Sequence, residues 1–363
     1  MRRSTFRLLF FVLIIIQLSV FNLAQTKPDS TSQQSVTKLE QVKPTECELK
    51  GFDIRLGLDY YEKLLSLCRA TGNKAAISKI LYSIGNIHLR EERPAQSLEA
   101  FQESLTLSES VGDKAGIINT ISALGIAHLD QGNSVQALEY NNKALALSEA
   151  FGDKKLIAQS LRNLGDFQSR QANFAQAMDY HKKELRLQED LGNKIEVATV
   201  LLNIGNVYKY ESDYAQALKY IQMALKIFEE LGNKAGIADA LSSTCSTYFK
   251  QGYYSQALEC SSKSLSMHEE LQDKWKIAND LELMANFYKG QNDRPKAIEY
   301  YQRALKQCEK LGRKQCMVHQ LEMIAFMYFR DNRTLAIEYY KKSLAIRETQ
   351  EKISGIMKAG FNF

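Results

Sequence analysis

The chain has 363 residues, is 45% hydrophobic, contains only 4 prolines and carries a net charge of +5. That composition excludes a disordered chain, which could not bury enough apolar surface, and it favours helix over strand. Three of the five net charges come from Arg2, Arg3 and Arg7, because the first 24 residues hold no acid. The body is therefore nearly neutral, without the clustered basic surface that nucleic-acid binding requires.

The N-terminus reads as an address. Three arginines precede an unbroken apolar run from Leu8 to Ile16, and apolar character continues weakly to Ala24. A basic segment followed by an apolar one is the pattern of a secretory signal. The expectation is a signal peptide over residues 1–24, cleaved after Ala24, and an exported chain, periplasmic or secreted. The competing reading is an uncleaved anchor, the one way in which the chain would meet a membrane. A spanning helix needs about 20 apolar residues, and Gln17, Ser19 and Asn22 dilute this one. Gln25 occupies the place where a lipid-bearing cysteine would stand. Residues 25–46, rich in Ser, Thr, Gln and Lys, read as a flexible polar linker.

From there the sequence repeats. TGNKAAI begins at Thr71, VGDKAGI at Val111, FGDKKLI at Phe151, LGNKIEV at Leu191, LGNKAGI at Leu231, LQDKWKI at Leu271 and LGRKQCM at Leu311, always 40 residues apart. Gly at the second position ends a helix, because it tolerates the left-handed conformation. Asn or Asp at the third caps the next helix. Gln272 departs from the stop, and Arg313 departs from the cap. Between these marks lie two helices. In the fourth repeat Val197, Leu201, Ile204 and Tyr208 share one face, and Leu218, Ile221, Leu225 and Phe228 share another. Glu211, Ser212 and Asp213 supply the turn. Gly205 and Ala217, with their counterparts in other repeats, are small enough to let the paired helices approach. One pair cannot bury both of its apolar faces, so successive pairs must stack.

The fold class is therefore all-α, an α-solenoid. A capping helix is placed in residues 47–71, seven repeats in residues 72–350, and a tail or partial helix in residues 351–363.

Blocks such as LLNIGNVYKYESDYAQALKYIQMALKIFEELGNK, Leu201 to Lys234, resemble tetratricopeptide repeats of the long, 40-residue kind found in kinesin light chain and LGN-type scaffolds. The resemblance implies a right-handed superhelix of antiparallel helix pairs. It also implies a concave groove, lined by first-helix side chains, that holds an extended peptide or helix of a partner protein. Asn86, Asn163, Asn203, Asn206 and Asn286 fall at or beside the groove positions, where an amide can both donate to and accept from a peptide backbone. Arg170, Lys209 and Lys250, with Arg90, Lys289 and Arg330, fall near the ends of the same helices and could hold carboxylates. The competing readings are exposed polar filler for the asparagines and helix C-terminal charge compensation for the cations. An alternative function is the sensor or regulatory region of a larger exported or anchored signalling protein.

Nothing in the sequence points to catalysis. No phosphate loop, nucleophile elbow or His-Glu-x-x-His motif is present, so no enzyme activity, metal or cofactor is expected. His88 and His128 share a repeat position and read as packing residues, and His181, His268 and His319 show no ligand spacing. Trp275 reads as core. The six cysteines, Cys47, Cys68, Cys245, Cys260, Cys308 and Cys316, read as free thiols. Cys245 with Cys260, and Cys308 with Cys316, are the pairs that the helix layout could bring together.

Overall fold

The computed structural model describes residues 57–360. The signal, the linker and the beginning of the capping segment lie outside the described residues. Helix α1, Gly57–Thr71, stands alone at the start. Seven pairs follow. They are α2 Lys74–Arg90 with α3 Pro94–Val111, α4 Lys114–Asp130 with α5 Ser134–Phe151, α6 Lys154–Arg170 with α7 Phe174–Asp190, and α8 Lys194–Tyr210 with α9 Tyr214–Glu230. Then come α10 Lys234–Lys250 with α11 Tyr254–Glu270, α12 Lys274–Gly290 with α13 Arg294–Leu311, and α14 Lys314–Tyr328 with α15 Arg333–Gly360. No strand occurs among the described residues.

The repeated dipeptide does two jobs. Gly72, Gly112, Gly152, Gly192, Gly232 and Gly312 all adopt positive φ, and each closes the helix before it. Gln272 takes the same conformation at φ 55° without being glycine. Asn73, Asp113, Asp153, Asn233 and Asp273 accept hydrogen bonds from backbone N–H groups in the first turn of the following helix. Asn193 and Arg313 make no side-chain cap. The turn inside each of the first six pairs has its own left-handed residue, at Glu92, Gly132, Ala172, Ser212, Gly252 and Asn292. The sequence did not advertise this second set, because only two of the six are glycine.

Packing follows the small residues. A Cβ built on Gly205 would lie 2.8 Å from Ile221 Cγ1 and 3.1 Å from the Ala217 carbonyl oxygen. Ala198, Leu201, Ile221, Ala224, Phe228 and Ala240 form one buried cluster drawn from α8, α9 and α10. The core thus runs across repeat boundaries, as a solenoid requires. First helices approach their neighbours more closely than second helices do, which curves the array with first helices on the inside.

Two sequence readings need correction. Cys245 and Cys260 are joined in a disulfide between α10 and α11, with Cα atoms 5.5 Å apart. Cys308 and Cys316 are joined across the turn between α13 and α14, with Cα atoms 5.7 Å apart. Cys68 is also disulfide-bonded, and no described cysteine is free. The free-thiol reading failed because the small-residue column that holds Cys245 faces the partner helix at bridging distance. Trp275 is half-buried rather than core, and the Arg313 guanidinium lies 3.8 Å from its ring centroid. Finally, α15 runs through Glu351 to Gly360 without a break, since no Gly-Asn stop interrupts it there.

Candidate functional site

The inner surface is not uniform. Helices α6 and α8 stand further apart than the first helices flanking them, and a concavity of about 420 Å³ opens between them. Its lining comes from Asp166, Ser169 and Arg170 on α6, from Asn203, Asn206, Val207 and Tyr210 on α8, and from His181 on α7 behind them. Three residues singled out in the sequence, Arg170, Asn203 and Asn206, therefore meet at one place.

Their bonding states differ. Asn203 is half-buried and makes no hydrogen bond within the described residues. The Asn206 carbonyl oxygen accepts from Lys209 Nζ at 2.9 Å. Lys209 is only 8% exposed. Burial, helped by the charge of Lys250, pulls its ammonium down from 10.5 to about 8. The same Nζ lies 5.5 Å from the Tyr210 ring centroid, and Tyr210 stacks on Phe174. Arg170 donates to Asp130 at 3.2 Å from an exposed position.

The remaining candidates lie elsewhere. Asn163, one turn before Asp166 on α6, has a buried amide nitrogen with no hydrogen-bond partner. Asn86 donates to the Tyr82 carbonyl oxygen of its own helix at 2.8 Å. Asn286 accepts from the Tyr301 hydroxyl at 2.7 Å. These last two belong to the first and sixth repeats and serve their own helix pairs. Lys250 ends α10 and is exposed. A larger concavity of about 540 Å³, bordered by Leu138, Asn142, Gln168, Gln176 and Tyr180, includes none of the candidates.

Beneath Asp166 runs a charged network that sequence reasoning missed. His181 Nε2 lies 3.7 Å from Asp166, and its Nδ1 lies 3.5 Å from Glu184. Glu184, fully buried, pairs with Arg162 at 2.6 Å, and Arg162 also pairs with Glu196. Partial desolvation by its neighbours raises the Asp166 carboxyl above its usual range, against the pull of His181 and Arg162, although the side chain is 54% exposed. The signal lay in the columns of the repeat. His181 occupies the position that holds Phe101, Asn141, Ile221, Ser261 and Tyr301 in the other repeats, a core position facing the small residue of the first helix. A Cβ on Gly165 would meet the His181 ring.

A second network, between α11 and α12, has the residue types of a hydrolase triad but not its geometry. The Asp280 carboxylate binds both His268 Nδ1 at 2.7 Å and Ser264 Oγ at 2.9 Å. His268 also faces Asp239 at 3.4 Å. Burial lowers the imidazole pKa, but the two aspartates outweigh it and hold the ring well up, to about 9. An imidazolium cannot accept a proton from serine. All three residues are at most 2% exposed, so the cluster works as a buried structural contact. Among the described residues no group of His, Cys, Asp and Glu side chains could hold a metal ion. No described helix is long and apolar enough to cross a membrane.

Comparison with known proteins places this geometry. Sequence profiles described as tetratricopeptide repeat match residues 76–150, 116–190, 196–270 and 281–315. No curated protein matches the chain. Several solved structures share the fold. A Rap protein complexed with competence and sporulation factor is 15% identical, with a TM-score of 0.61 over 88% of this chain and 92% of that one. The Rap conjugation gene regulator of plasmid pLS20, in complex with the Phr* peptide, is 12% identical, with a TM-score of 0.61 over 90% and 96%. A signal transduction ATPase with numerous domains from Pyrococcus horikoshii, which has a tetratricopeptide repeat sensor, is 16% identical, with a TM-score of 0.55 over 93% of this chain and 52% of that one. The 40-residue helix pairs, their capped turns and the profile matches agree: this chain belongs to the tetratricopeptide repeat family.

Proposed function

We propose that the chain is a non-catalytic interaction scaffold that holds an extended peptide segment of a partner protein on its inner surface, at the concavity between α6 and α8. The observation that carries this reading is the bonding state of the asparagines. Asn203 has its whole amide unused at a half-buried position, and Asn206 has its amide donors unused while Lys209 occupies its carbonyl oxygen. Unused amides three residues apart on one helix face match the alternating donors and acceptors of an extended backbone. Asp166 and Arg170 flank them with opposite charges, which suits a peptide carrying at least one charged side chain. Two of the similar structures hold, by their own descriptions, a peptide or a factor.

Panning a random peptide library on the full chain tests the site. Enriched peptides should lose at least about tenfold in affinity for Asn203→Ala, because each net hydrogen bond contributes on the order of 1 kcal/mol and a buried one more. Equal affinity of every enriched peptide for wild type and Asn203→Ala would place binding elsewhere.

Export belongs to the same proposal. Disulfides persist in oxidising compartments, and both fully described ones join helices that the repeat already holds together. Mass spectrometry of the mature N-terminus reads this out. A chain beginning at Gln25 supports export with cleavage, whereas an intact Met1 in the cytosolic fraction opposes it.

A further inference from the structure

Glu92 and Arg313, one at the turn of the first pair and the other at the broken cap of the seventh, meet across 221 positions. Glu92 sits in the turn of the first pair at φ 57°, where the other repeats carry Gly132, Ala172, Ser212, Gly252 and Asn292. It is the one acid in that column among the first six repeats. Arg313 sits in the cap column, where every earlier repeat carries Asn or Asp. The Glu92 carboxylate lies 3.3 Å from Arg313 Nε, and it accepts from the Gln315 backbone N–H at 2.6 Å. The first repeat thus supplies, from outside, the N-terminal cap that Arg313 denies to α14. In five of the six earlier repeats the Asn or Asp makes that bond within its own loop.

The contact is built rather than incidental. Arg313 is clamped on its other side by the face of Trp275 in the sixth repeat. The loop that carries Arg313 and Gln315 is bracketed by the Cys308–Cys316 disulfide. The Glu92 side chain is 15% exposed and that of Arg313 24%, so salt screens the pair weakly.

We propose that Glu92, Arg313 and Trp275 form a latch that closes the superhelical turn, joining the first repeat to the sixth and seventh and making the inner surface an enclosed channel. Helix pairs in a solenoid contact only their neighbours, so a contact between the first and seventh repeats holds the array as a ring rather than an open coil. The consequence for ligands, which rests on the peptide-groove reading, is that a peptide enters and leaves more slowly while the latch is shut.

Small-angle X-ray scattering on the full chain tests the latch without any ligand. Wild type should scatter as the closed form. Glu92→Lys should raise the radius of gyration and maximum dimension with unchanged helix content, as should Arg313→Glu. The double variant Glu92→Lys with Arg313→Glu restores opposite charges and should return toward the wild-type curve. Glu92→Gln, which keeps shape and loses charge, should open the array less than Glu92→Lys does. Wild-type scattering of an open coil, or a Glu92→Lys curve superimposable on wild type, overturns the latch. With a library-selected peptide in hand, Glu92→Lys should speed association and release several-fold together. Opening in scattering with unchanged peptide kinetics overturns the gating while leaving the latch. Failure of every peptide to bind touches only the groove reading.

Discussion

Gly205 in α8 and Ile221 in α9 are packed so closely that the glycine's missing Cβ would fall 2.8 Å from Ile221 Cγ1. That closeness sets the spacing of the fourth helix pair. Gly205→Ala gains helix propensity of about 1 kcal/mol, but its Cβ meets Ile221 Cγ1, beside the branch point, and the backbone of Ala217 and Ile221, so it should destabilise slightly. Gly205→Leu cannot be accommodated in the same way. It should destabilise by about 2–3 kcal/mol through overpacking, read as the difference between the two variants in denaturant unfolding. Equal stability of Ala and Leu at this position would remove the close-packing argument.

The His268–Asp280 contact predicts a dependence on pH. Its imidazole is held up to about 9, above the ordinary 6.5. A raised folded-state value means that the stabilisation is complete below about pH 6.5 and declines as pH rises through about 9. Lys209 acts in the opposite direction. Its ammonium is depressed to about 8, so stability recovers as pH climbs from about 8 toward the ordinary lysine range. The comparison must therefore be between wild type and His268→Gln. Wild type should exceed the variant by on the order of 3 kcal/mol at pH 6, with the gap narrowing steadily to pH 9.5. A gap constant across that range would mean that His268 is uncharged in the fold.

The fold was legible because its signals recur. Six glycine stops and six Asn or Asp caps at one period specify helix ends without any need to judge propensity. What stayed hidden sits in single copies. His181 and His268 gave no ligand spacing along the chain, yet each replaces a core residue in its column and carries a polar ring into the interior. Glu92 was silent because the left-handed position of its turn is filled by a different residue in almost every repeat, so no letter marked it. Arg313 was visible as a broken cap, but the residue that mends it is 221 positions away by number, and only curvature brings them together. The groove asparagines were found by column, whereas their bonding states, which separate Asn203 from Asn286, required coordinates.

Those bonding states separate two neighbouring substitutions. Asn203 bonds to nothing in the described residues, so Asn203→Ala should melt within about 0.5 kcal/mol of wild type, as surface changes usually do. Asn206→Ala removes the acceptor from the buried Lys209 ammonium. It should cost about 1–2 kcal/mol at neutral pH, and most of that should vanish in Lys209→Met. Equal melts for Asn203→Ala and Asn206→Ala would show that Lys209 finds another acceptor. Asn203 is therefore the cleaner probe of binding.

The disulfides make a prediction about unequal loops. Cys245 and Cys260 enclose 15 residues of separation, Cys308 and Cys316 only 8. Alkylation of the denatured, unreduced protein should label none of these four. Cross-linking restricts the unfolded chain more as the loop grows. Replacing both members of the first pair with serine should therefore cost about 3 kcal/mol, and of the second somewhat less. The second replacement carries a distinct signature, because its loop presents Arg313 and Gln315 to Glu92. Cys308→Ser with Cys316→Ser should raise the radius of gyration, whereas Cys245→Ser with Cys260→Ser should leave it unchanged. If both pairs alter size alike, the disulfides stiffen the array generally, and the Arg313 loop has no special dependence on its bridge.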